Sequence, residues 1–80
     1  MTLDRAKRGQ SIKITSIPDA GVRIQAIRFG LAEGSMVTCE EVIPAGPIVI
    51  RSHRQLLALG RGLARRIQVE VGGDPIVSLP

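Results

Sequence analysis

Arg28-Phe29-Gly30-Leu31-Ala32-Glu33-Gly34-Ser35 is the stretch on which the fold turns, because two glycines four positions apart join a helix-like segment to β-branched strands. Gly30 stands where a helix ends in a left-handed cap, and Gly34 opens a tight turn into Met36-Val37-Thr38-Cys39. Upstream, Val22, Ile24 and Ala26 alternate as in a strand, whereas Ile24, Ile27 and Leu31 recur at helical spacing. The terminal glycine favours a helix from Val22 to Phe29, with Arg23 and Arg28 in water and Ile24, Ile27 and Leu31 capping the core.

Working outward, Leu3 to Gly9 reads as a short lead-in whose charges stay in water, and Ile12 and Ile14 alternate with polar neighbours in a half-buried strand. Ile17-Pro18-Asp19-Ala20-Gly21 breaks that strand. Beyond the corner, Met36 to Ile43 is a second strand, with Val37, Cys39 and Ile43 on one face and Thr38 and Glu40 on the other. Pro44-Ala45-Gly46-Pro47 is a turn, since neither proline can donate a ladder hydrogen bond. Ile48 to Arg51 and Gln55 to Leu59 form a third and a fourth strand around Ser52-His53-Arg54. Leu63 to Arg66 has room for one helical turn before the alternating Ile67-Gln68-Val69-Glu70-Val71. The pattern describes a mainly β chain: a small, strongly bent five-stranded barrel with one short helix over residues 1–71, and a tail over 72–80.

Eighty residues hold one core, because so short a chain buries only about 60 to 65% of its unfolded surface. Phe29 is the single aromatic residue, which removes the stacked rings that bind proline-rich peptides or single-stranded nucleic acid. Eleven basic against seven acidic side chains give a net charge of +4 and invite an anionic partner. Arg51, Arg54, Arg61, Arg65 and Arg66 form the densest basic group along the chain. They supply charge for phosphates but no recognition helix to read bases, so a nucleic-acid partner is not expected. One cysteine cannot form an internal disulfide, and the longest aliphatic run, Leu56 to Leu59, is far short of the roughly 20 residues that span a bilayer. A cytoplasmic protein without direct membrane insertion is the expectation.

Catalysis needs a nucleophile with its base, paired carboxylates or an open metal site, and the chain offers one His and one Cys. Cys39 shares the apolar face of its strand with Val37 and acts there as a small hydrophobe. His53 sits among polar turn residues. Glu40 and Glu41, being consecutive on a strand, point to opposite faces and cannot line one site without a bulge. No enzyme activity, cofactor or dedicated metal site is expected, and a weak surface metal contact at His53 is the most the ligands support.

The ordered set of features nonetheless resembles a known family. A strand after Gly9, a helix ending in Gly30-Leu31-x-x-Gly34, the Pro44-Ala45-Gly46-Pro47 turn, Gln55-Leu56-Leu57-Ala58-Leu59 and Leu63-Ala64-Arg65-Arg66-Ile67-Gln68-Val69 follow one another as in ferrous iron transport protein A (FeoA). The resemblance runs from about Leu3 to Val71 and implies an SH3-like barrel. It further implies a small protein of bacterial ferrous iron uptake that contacts the cytosolic part of a GTPase-linked membrane iron transporter (FeoB). A regulatory module akin to the C-terminal domain of metal-dependent repressors, or a basic nucleic-acid-binding barrel, is the alternative. Phe29 replaces the family's usual leucine, Arg54 replaces a common hairpin glycine, and the aspartate usual after the Pro44-Ala45-Gly46 turn is missing. Phe29, with Ile27, Arg28 and Leu31, is the expected partner-binding surface, since aromatic and Arg side chains dominate interface energetics. Weak self-association is compatible with the sequence.

Overall fold

A backbone that must turn from helix to strand within a few residues needs left-handed positions, and Gly30 (φ 81°) and Gly34 (φ 95°) supply them. The computed structural model describes residues 1–72. A 3-10 turn, Leu3–Arg5, precedes β1 (Ser11–Ser16), α1 (Ala20–Arg28), β2 (Met36–Val42), β3 (Ile48–Ser52), β4 (Gln55–Leu59), α2 (Arg61–Ala64) and β5 (Gln68–Val71). The strands form one antiparallel sheet in the order β4-β3-β2-β1-β5. The expected tail, apart from Gly72, lies outside the described residues.

The corner closes by a two-bond motif. The Leu31 amide donates to the Ala26 carbonyl and the Gly30 amide to the Ile27 carbonyl, each at 2.9 Å, which satisfies the last helical carbonyls and turns Leu31 into the core. The Ser35 amide then donates to the Ala32 carbonyl at 2.9 Å, and the Ala32 amide to Ser35 Oγ at 3.0 Å. Two further bonds stitch this second turn to β1: Gly34 N–H to the Ile14 carbonyl (2.7 Å) and Ile14 N–H to the Ser35 carbonyl (2.9 Å).

β1 is the hub, pairing with β2 through Ser11–Lys13 and with β5 through Ile12–Ser16. Its inward Ile12 and Ile14 meet Val37, Cys39, Ile48, Ile50, Leu59, Ile67 and Val69 in one continuous core, as strand alternation requires.

Three sequence expectations are corrected. Ile24 and Ile27 do not cap the core; they are 56% and 58% exposed, while Val22 and Ala26 make the buried stripe of α1. Ile24 lies about 200° around the helix from Val22, and Leu31, beyond the Gly30 reversal, no longer belongs to the helical series. The lead-in is part of the fold: Leu3 and Ala6 are buried, Thr2 bridges to Gln68, and the Leu3 amide donates to the Ile67 carbonyl at 2.9 Å. Ile43 falls outside β2 and is exposed, because the β2–β3 register shifts between Cys39 and Glu41 and breaks the alternation.

Two non-glycine residues also adopt positive φ, Ala45 (55°) in the β2–β3 turn and His53 (57°) in the β3–β4 turn. No heavy atom lies within 4 Å of where a Gly30 Cβ would stand, so a side chain there meets backbone strain alone. Gly30→Ala is therefore expected to cost about 1 kcal/mol and His53→Gly to add about 0.5 kcal/mol. Thermal denaturation checks both, a shift of about 4 to 8 °C corresponding to 1 kcal/mol at this size.

Candidate functional site

α1 enters through a ring of side-chain bonds to backbone. Asp19 caps the helix, its Oδ1 accepting from the Val22 amide at 3.1 Å, while Oδ2 accepts from Arg66 Nη1 at 3.0 Å. Ile17, buried between β1 and the helix, has its amide bonded to Glu33 Oε2 (2.9 Å) and its carbonyl to Arg23 Nε (3.0 Å). Neither Glu33 nor Arg23 has a sequence signature for this role, since both serve a backbone that has just left its ladder.

The helix so fixed turns Ile24, Ile27 and Arg28 outward together. Phe29, which ends the helix, is 42% exposed and is not among the side chains packed against the core. Leu31 is fully buried beneath the corner. Of the four residues expected to form a partner surface, Ile27, Arg28 and Phe29 are thus exposed and Leu31 belongs to the core. Among the described residues no pocket accompanies them.

The five arginines are likewise distributed. Arg51 Nε is 3.1 Å from Glu40 Oε2 on the neighbouring strand, and Arg66 is held by Asp19. Arg61 is engaged with backbone: Nε donates to the Gly46 carbonyl (2.9 Å), Nη2 to that of Ile43 (3.0 Å) and Nη1 to that of Asp4 (3.4 Å). It clasps the β2–β3 turn to the 3-10 turn from the start of α2. Arg54 lies at the opposite end of the β3–β4 hairpin, and Arg65 follows α2; both are exposed. Nothing in the sequence marks Arg61 apart from its neighbours, because its acceptors are carbonyls that any residue carries.

The reactive side chains are held apart. Cys39 is 1% exposed, and burial pushes its thiol above the ordinary value. The bulge in β2 leaves Glu40 and Glu41 with separate partners, Arg51 and, at 3.8 Å, Arg8. His53 is exposed on its turn, and among the described residues no three His, Cys, Asp or Glu side chains are grouped to hold a metal ion. No helix among them is long and apolar enough to cross a membrane.

The sequence profile of the FeoA domain matches residues 1–71. The chain belongs to the FeoA family. Its SH3-like barrel superposes on the crystal structure of an iron uptake regulatory protein (FeoA) with a TM-score of 0.80, at 28% identity over 88% of this chain and 95% of that one. The iron(II) transport protein A of Clostridium thermocellum matches with a TM-score of 0.84 and 27% identity, over 91% of this chain and 46% of the other. At 16% identity the manganese regulator SloR shares the fold alone, with a TM-score of 0.80 over 89% of this FeoA chain and 34% of the regulator. Among curated proteins, none matches the sequence.

Two expectations come from these contacts. Replacing Arg61 by Ala strips three carbonyls of a charged donor and should cost about 2 kcal/mol, whereas Arg65→Ala should leave the melting temperature of this FeoA domain unchanged. The Val22 amide above all, then the Gly21 amide and Arg66, hold the Asp19 carboxyl below its ordinary value, outweighing partial desolvation. A depressed carboxyl stabilises the fold above its unfolded value near 3.8 and loses that contribution as pH falls through the folded value. Asp19→Asn, which keeps the capping oxygen but not the charge, should melt lower than the parent at pH 7. Melting curves at decreasing pH should show the gap closing below about pH 4.

Proposed function

We propose that this FeoA-family protein serves bacterial ferrous iron uptake from the cytoplasmic side, by contact with the cytosolic part of a GTPase-linked membrane iron transporter of the FeoB kind. The observation that carries the reading is the outer face of α1. Ile24 and Ile27, among the largest apolar side chains of the helix, point into water beside Arg28, while its core contacts are made by the smaller Val22 and Ala26. Exposed isoleucines at helical spacing next to an arginine provide apolar area with a charged rim, the composition of a modest protein interface.

Ile27 and Arg28 make the contact in this reading, Phe29 borders it, and Leu31 seats the corner from beneath without touching the partner. The proposal needs no active site or bound cofactor, because the protein acts through the surface it presents.

Titration of the isolated cytosolic GTP-binding domain of such a transporter into the protein, followed by amide chemical shifts, tests the reading. Saturable shifts centred on residues 24–29 are expected. Ile27→Lys should weaken binding at least about tenfold, a loss of about 1.4 kcal/mol, with little change in melting temperature, since Ile27 is 58% exposed and a Lys suits the last turn of a helix. Absence of shifts at about millimolar partner would overturn it.

A further inference from the structure

The two ends of the sheet are finished differently. At β5, the Thr2 bridge to Gln68 and the bonds between Met1 and Val69 cover the outer ladder. At β4 nothing comparable occurs among the described residues. The two-residue loop of the β3–β4 hairpin makes Ser52 and Gln55 exchange both backbone hydrogen bonds, and antiparallel alternation makes Ile50–Leu57 and Ile48–Leu59 the next bonded pairs. The N–H and C=O groups of Leu56 and Ala58 therefore point away from β3, and no backbone group among the described residues meets them.

Sheet edges are ordinarily blunted by Lys, Pro, a bulge or an inward charge. Gln55-Leu56-Leu57-Ala58-Leu59 has none of these, pairs with β3 without a register shift, and carries Leu56 at 55% exposure. Such an edge is a template for another strand.

We infer that β4 pairs with β4 of a second copy of this chain, antiparallel about a two-fold axis through Leu57. In that register Leu56 bonds with the partner's Ala58 and Ala58 with the partner's Leu56, so every outward backbone group of the strand is used. Leu57 faces Leu57, and on the outer face a large Leu56 lies beside a small Ala58. Arg54 faces Gly60, so no like charges stand opposite each other. A strand without charge also has nothing to select an oppositely charged partner, and the two-fold spacing of its free groups fits itself. With a net charge of +4 on each copy, the pairing is weak at low salt and tightens as salt screens the repulsion.

Sedimentation equilibrium of the full chain from about 10 µM to about 1 mM, at low and at 0.5 M salt, reads this directly. The expected result is a reversible monomer–dimer equilibrium with a Kd of about 100 µM or weaker, tighter at high salt, with the Leu56 and Ala58 amides gaining exchange protection as concentration rises. Ala58→Pro removes an outward N–H that β3 does not use, and should give a monomer with unchanged circular dichroism. Should that variant not fold, Leu56→Lys places a charge on the edge and should have the same effect. A monomer at every concentration would overturn the inference, whether its Leu56 and Ala58 amides are free or are protected independently of concentration. So would a dimer that survives these substitutions.

Discussion

The bond from the Leu31 amide to the Ala26 carbonyl is the constraint on which the rest of the chain depends. It forms only because Gly30 can reverse the backbone, and it does two things at once: it ends the helix on a carbonyl that also accepts from the Phe29 amide, and it delivers Leu31 to the core. The Gly34 turn then hands the chain to β1 through the Ile14 carbonyl and so sets the register in which β2 joins the sheet. Because β1 also pairs with β5, the placement of the last strand is tied, through one neighbour, to a corner some forty residues earlier.

That same closure explains why the helix has an apolar outer face. The core wants a close approach, and Val22 and Ala26 give it; once Leu31 fills the space at the helix end, the two isoleucines are surplus to packing. Burying either would be worth about 2 kcal/mol, so a helix that leaves both in water carries unused apolar area. In a FeoA-family chain whose Arg23, Arg51, Arg61 and Arg66 are occupied with carboxylates and carbonyls of the barrel itself, that area is the most distinctive surface the fold presents.

Strand positions were legible because Ile12/Ile14, Val37/Cys39 and Val69/Val71 alternate, and alternation is a one-dimensional property of the chain. The helix was legible from Gly30, though its inward face was not: Ile24, Ile27 and Leu31 have helical spacing, yet the motif that ends the helix removes Leu31 from the series. The role of Leu3 was hidden because one apolar residue among Asp4, Arg5, Lys7 and Arg8 has no period. Arg61 and Glu33 were hidden for a different reason. Each binds a main-chain group, and the sequence names side chains while leaving silent which carbonyls and amides will lack partners. The bulge in β2 belongs to the same class, since an extra residue in a ladder shows only against the opposing strand.

The Arg61 clasp bears on how the barrel is made in time. Its acceptors lie 15, 18 and 57 residues back along the chain, and the farthest can be reached only after the hairpins and the amino-terminal turn have already come together. A contact that needs three segments in place is expected to form late, and one formed after the transition state slows the opening of the native barrel more than it speeds assembly. One guanidinium at the start of a four-residue helix thereby acts as a latch between parts of the chain that are far apart in sequence.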